Sequence, residues 1–239
     1  MSDTRFAKRY KEYKKLLANS PIQQHGSEHQ KESLLKSIDN AHRLLSSPKA
    51  RKAFDLSLES KESYDTYKVG GRFGLGCLLA KRLTEAGARF IEVTHGYYPF
   101  KYWDTHDNGH TKMKDLKKMI DAPIAQLVLD LEKSKLLDRT LIVVASEFSR
   151  DMMMEGKPEK RVKDQVQVPA RIDGPQHYGM HRHFTGAGSV LLFGGGIKKG
   201  FVYGETADER PCTTIKDPIN TQQLLSLIHI SEPTRLGAI

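Results

Sequence analysis

Cysteine is nearly absent from this chain of 239 residues: Cys77 and Cys212 are the two that occur. Two thiols build neither the disulfide framework of a small secreted scaffold nor a zinc site made of cysteines. Long apolar runs are missing too. No stretch approaches the roughly 20 residues that cross a bilayer, so no membrane span is expected. Met1 is followed by charged, helix-forming residues rather than a basic segment and an apolar core, and the sequence as written shows no export signal. A phosphate-cradling glycine loop is also lacking. Gly194-Gly195-Gly196 is followed by neither Gly-Lys-Ser/Thr nor a helix start, and it reads as a turn into a strand around Phe201-Val202-Tyr203. Internal repeats and low-complexity stretches are absent as well.

Charge is plentiful but unfocused. The chain carries 38 Lys and Arg against 29 Asp and Glu, a net charge of +9. These cations are scattered and not interleaved with aromatics as stacking surfaces require, so nucleic acid is not an expected partner. Nucleic-acid binding by the basic helices before residue 70 ranks third among the readings and would show as a steep salt dependence. A basic field draws in small anions in general.

Periodicity organises the first third into helices. Residues 4–19 place Phe6, Tyr10, Tyr13, Leu16 and Leu17 on one face, and Pro21 and Gly26 break the pattern. Further helices are expected over 28–46, in short pieces over 48–60, and over 73–86 up to Gly87. From there the pattern alternates. Phe90, Ile91 and Val93 mark a strand over 88–95, followed by a helix over 110–135 that Pro123 should kink or restart. The apolar run 140–146 reads as a strand buried on both faces, and Ser189–Phe193 as a third strand after a long polar loop, 149–187. Helices alternating with strands in this order predict an α/β fold with a parallel or mixed sheet covered by helices.

Chemistry gathers where these strands end. The first delivers Asp104 and His106, with His95 and His110 nearby; the second ends in Glu147 and Arg150; the long loop ends in His177, His181 and His183. Six of the ten histidines lie between 95 and 183. Imidazoles and carboxylates converging from separate strand ends are what a metal-assisted hydrolase needs. Asp104 and His106 can share one divalent ion. Glu147 after a buried strand must be paired or hold a cation. Arg150 holds an oxyanion or balances Glu147. His95, at a strand terminus, reads as a hydrogen-bonded core histidine rather than a ligand.

Taken together, Phe73-Gly74-Leu75-Gly76-Cys77-Leu78-Leu79-Ala80, Trp103-Asp104-Thr105-His106, Ser146-Glu147-Phe148-Ser149-Arg150, His183, Gly188–Lys198 and Val202-Tyr203-Gly204-Glu205-Thr206 resemble the domain of unknown function 1501 family. That family is a branch related to sulfatases and alkaline phosphatases, and the resemblance covers about 70–220. It implies a three-layer α/β/α alkaline-phosphatase-like fold, with a central, mostly parallel sheet. It also implies one or two divalent metals (zinc, manganese or calcium) and a hydroxyl nucleophile. Carried over residue by residue, it makes Asp104, His106, Glu147 and His183 metal ligands. The substrate would be a small anionic ester or a sulfated glycan. The chain departs from the family at Ser146 and Ser149, where glycines are usual, and at Arg182, where an aspartate is common. An arginine there would repel a cation, and His181 or His177 is expected to replace the lost ligand.

The family's nucleophile and first metal carboxylate come from an N-terminal segment, and no matching motif precedes residue 70. Residues 1–69 therefore read as a helical N-terminal segment and 70–224 as a partial α/β domain, inactive alone. Relatives commonly begin with an export signal, which implies a periplasmic parent. Residues 225–235, Leu-Ser-Leu-Ile-His-Ile-Ser-Glu-Pro-Thr-Arg, match one translated frame of a transposase-type sequencing adapter. On that expectation 225–239 is an artefact and His229 is no site residue. Two functions compete: a metal-dependent sulfate- or phosphate-ester hydrolase, and a non-catalytic metal- or glycan-binding accessory protein on the same fold.

Overall fold

The computed structural model describes residues 3–96, 98–99, 101–105, 108–150, 183–208 and 213–231. The chain forms two compact units, Met1–Ser60 with Arg82–Arg89, and Lys61–Lys81 with Phe90–Ile239.

The first unit is helical. Helices α1 (Asp3–Ala18) and α3 (Glu28–Ser46) follow the expected bounds to within a residue. Between them α2 (Pro21–His25), with Pro21 in its first turn, forms where only a break in the pattern is expected. The helix α4 (Pro48–Phe54) is the first of the short pieces expected over 48–60. Ser27 and Gln30 form a capping box that starts α3 by satisfying two orphan donors. Across α1 and α3, the Tyr10 ring stacks on His42 with centroids 3.9 Å apart. The Tyr10 hydroxyl donates to Asp39, which Lys14 also reaches at 3.2 Å. Hydrogen bonds from Tyr10 and Lys14 hold the Asp39 carboxyl below its ordinary range. Arg82 ties the unit together through the carbonyls of Lys52 and Ala53 and the Glu59 carboxylate.

The second unit is built on α5 (Lys61–Lys68), the first turns of α6 (Gly71–Glu85), and α7 (Gly109–Lys133). In α7, Leu116, Pro123, Leu127 and Leu131 recur at spacings of one helical face and are buried. Tyr67, Cys77 and Leu78 complete that core from α5 and α6. Burial pushes the Cys77 thiol up to about 12, so it packs as a small apolar group and does not serve as a nucleophile. The Tyr67 hydroxyl donates to Asp130 at 2.8 Å, and Gln126 supports the same carboxylate at 2.8 Å. Tyr67→Phe is expected to lower stability by about 1.5 kcal/mol, the scale of a hydrogen bond to a charged group. A urea titration that showed no change in midpoint would contradict this.

Pro123 does not end α7, which runs through it. A proline cannot donate to the carbonyl of residue 119, and Gly70 approaches at that place. A Cβ on Gly70 would lie 2.7 Å from the Met119 carbonyl oxygen and 2.3 Å from Pro123 Cγ. The glycine and the proline thus make one close helix crossing.

The strands are short and differ from expectation in their pairing. β1 (Leu141–Val144) is the apolar run foreseen over 140–146. Its partner is the third foreseen strand, here Leu191–Gly194, and they run antiparallel with Leu141 opposite Gly194. β2 (Ser149–Arg150) pairs antiparallel with β3 (His183–Phe184), and Leu191–Gly194 is β4 in chain order. β5 (Glu205–Thr206) pairs with β6 (Thr214–Lys216), and α8 (Thr221–Ser231) follows.

The fold is mixed α and β, as predicted, but the described residues form three two-stranded antiparallel sheets and no parallel, three-layer sheet. The end of β4 explains the direction. Gly194, Gly195 and Gly196 all have positive φ, and Gly195 N–H donates to the Leu137 carbonyl at 2.9 Å, which brings the end of β4 to the start of β1. The run 88–95 forms no ladder, and Phe90 is 85% exposed. β1 is not buried on both faces either, since Val143 is 38% exposed. The turn at Gly194–Gly196 forms as expected, but pairing resumes at Glu205 rather than at 201–203.

Candidate functional site

The loop between residue 90 and α7 carries the first candidate ligand. Gly96 takes φ +75°, a left-handed conformation that glycine adopts without strain. A Cβ there would also strike the Tyr102 side chain at 2.7 Å. Three turns follow, closed by Tyr98 N–H to the Gly96 carbonyl at 3.0 Å, Lys101 N–H to the Tyr98 carbonyl at 3.2 Å and Asp104 N–H to the Lys101 carbonyl at 3.1 Å. Tyr102, inside the last of these turns, is left-handed at φ +53°, uncommon for a bulky residue. The turn presents Asp104 half-buried and Thr105 buried, two residues beyond His95's aromatic surroundings at Trp103.

His95 is the centre of that cluster. Its ring meets Phe73, Tyr102 and Trp103 edge to face, with centroids 5.2, 6.0 and 5.8 Å away. The Trp103 indole N–H donates to His95 Nδ1 at 2.6 Å. Since indole can only donate, Nδ1 is unprotonated here and the proton of the neutral ring sits on Nε2. Burial pushes His95 below the ordinary imidazole range, in agreement with that assignment. His95 is therefore a hydrogen-bonded structural histidine, although the run before it forms no strand.

His183 reaches Asp104 from β3, with Nε2 3.9 Å from Oδ1. The imidazole is 56% exposed and the carboxylate 27%, so the pair opens to solvent. Phe148 stacks on His183 with centroids 4.0 Å apart and planes within 22°, which limits the tilt of the ring. Ser149 Oγ lies within hydrogen-bond reach of the Phe184 carbonyl at 3.1 Å and of the Ala187 carbonyl, tying β2 to the segment that carries His183. A tetrahedral zinc about 2.1 Å from each donor would hold nitrogen and oxygen about 3.4 Å apart. The observed spacing therefore fits two ligands of one cation after a closing of roughly half an ångström. The same spacing also fits an imidazolium–carboxylate ion pair.

The other predicted residues fall as follows. Glu147 is exposed in the bend between β1 and β2, next in sequence to Phe148. Arg150 stands opposite His183 in the β2–β3 register. His110 is exposed in the first turn of α7. His106, His177, His181 and Arg182 lie outside the described residues. Among the described residues no group of three His, Cys, Asp or Glu converges, so the structure brings together a pair, Asp104 and His183. Phe148 and the Trp103–His95 bond were not foreseen. Trp103 did carry a signal, as the single tryptophan of the chain and the neighbour of a candidate ligand.

The family described as "Protein of unknown function (DUF1501)" matches residues 1–231. The chain belongs to the DUF1501 family. The match extends beyond the motifs of residues 70–220, taking in the helices of the first unit and residues 225–231 of α8. No curated protein and no solved structure matches the chain. No described helix of this DUF1501 protein is long and apolar enough to cross a membrane.

Proposed function

We propose that this DUF1501 protein is the metal-binding part of a hydrolase of sulfate or phosphate esters, related to sulfatases and alkaline phosphatases. The observation that carries the reading is the meeting of Asp104 Oδ1, from a loop, and His183 Nε2, from β3, 3.9 Å apart and distant in sequence. Asp104 supplies a hard oxygen and His183 an imidazole nitrogen. Glu147, His106 and His181 complete the ligand set. A bound zinc, manganese or calcium ion would acidify a hydroxyl and stabilise charge on the transferred group. Arg150, opposite His183, pairs with the anionic oxygens of the ester or of a sulfated glycan. The basic surface favours arrival of such anions. On the same reading a hydroxyl serves as nucleophile, the protein acts in the periplasm, and residues 225–239 contribute nothing to the site.

A second reading keeps the fold and drops the reaction: a metal- or glycan-binding accessory protein. Arg182, directly before His183, favours it, since an arginine there repels a cation. Hydrolysis of an aryl sulfate and an aryl phosphate by the full-length gene product separates the two. Turnover that needs added metal and disappears in Asp104→Ala is the expected result. Metal binding with no turnover of either ester would hand the case to the accessory reading.

A further inference from the structure

Asp104 directly follows Trp103 in the chain. Its neighbour Trp103 is fastened at the indole nitrogen to His95 Nδ1, 2.6 Å away, and the His95 ring is walled by Phe73, Tyr102 and Trp103 itself. Tyr102 is the titratable group among these neighbours. The turn between the two partners contains a left-handed tyrosine, a conformation that persists where surrounding contacts over-determine it. A chain from the Phe73 helix to His95, to Trp103 and to Asp104 is thus continuous.

We propose that His95 is a positioning residue for the candidate metal ligand: its Nδ1 accepts the Trp103 indole N–H and so fixes the turn that presents Asp104 to His183. The proposal rests on the metal reading given above for Asp104 and His183. Its chemistry is specific to an acceptor at this place. A protonated ring would carry N–H on both nitrogens and would face the indole donor with another donor. Burial keeps the ring neutral by lowering its affinity for a proton. The latch therefore holds above the ordinary imidazole range and lets go as pH falls through the lowered value.

Trp103, as the single tryptophan, makes the latch directly visible. Intrinsic fluorescence of the metal-free chain is followed from pH 8 to pH 4, and zinc affinity is measured at pH 7.5, for wild type, His95→Gln and His95→Leu. Glutamine retains an acceptor and leucine does not. Wild type should show one emission transition below the ordinary imidazole range, and both variants should lose it. His95→Leu should weaken zinc binding about tenfold, the usual effect of losing an outer support, with His95→Gln recovering most of the affinity. Equal zinc affinity in all three proteins would overturn the latch and leave the metal site standing. A wild-type chain that binds no zinc would sink the metal reading instead, and the emission transition would then decide the latch alone. Its absence in wild type would overturn the latch.

Discussion

Gly74→Ala is expected to destabilise the protein by about 3 kcal/mol, the upper end of overpacking costs. The sign is the informative part. In an open helix the same substitution would stabilise by about 1 kcal/mol, because alanine is the better helix former. At Gly74 a Cβ would lie 1.9 Å from the carbonyl oxygen of Tyr67, with Pro123 Cγ at 3.3 Å on the other side. Tyr67 and Pro123 are fully buried, and the nearest atom is backbone, so no rotamer change relieves the overlap. The close crossing of α5, α6 and α7 depends on this glycine. Thermal unfolding should show a midpoint lower by on the order of 10 °C for a unit of this size. An unchanged or higher midpoint would mean that Gly74 does not sit against Tyr67.

Removing either half of the Asp104–His183 pair should cost at least about a hundredfold in divalent-metal affinity, since even outer supports of metal sites cost ten- to a hundredfold. His183→Ala and Asp104→Ala should each reach this loss, and the double variant should lose little more, because one cation is shared. Independent, additive losses would place the two residues at separate sites. His183→Ala should disturb folding least, because its imidazole is 56% exposed, and Asp104→Ala somewhat more, because that side chain is 27% exposed. The thermal midpoints of the variants, measured without metal, check this. A pH series adds a sign: imidazole binds metal only when neutral, so affinity should fall as pH drops below the imidazole range.

Helices were legible in the sequence because their signal is local. The apolar spacing of Phe6, Tyr10, Tyr13 and Leu17 in α1, and Gly87 just past the end of α6, belong to the elements they mark. Strand partners are not local. The run Leu141–Val144 reads as a buried strand by composition, yet nothing in it says that Leu191–Gly194 will meet it antiparallel. That direction comes from three left-handed glycines and a carbonyl at Leu137, a contact between distant segments. Residues 90–93 alternate as a strand would, but an alternating pattern records an extended chain, not a partner to pair with.

Asp104 and His183 stand in the sequence beside apolar runs, with residue types that metals select, and the structure places them 3.9 Å apart. The supporting shell is not legible in the sequence. Phe148 on His183 and Trp103 on His95 are side-chain pairs without periodicity, and only the placement of the loops reveals them.

The most direct test of the metal reading is the metal content of the purified chain. It is measured by mass spectrometry after equilibration with zinc, manganese and calcium, beside the Asp104→Ala, His183→Ala double variant. About one equivalent of a divalent ion retained by the wild type and lost by a folded double variant is the predicted result. A folded wild type that retains no more metal than the variant would contradict the account, and Asp104 and His183 would then be an ion pair and nothing more.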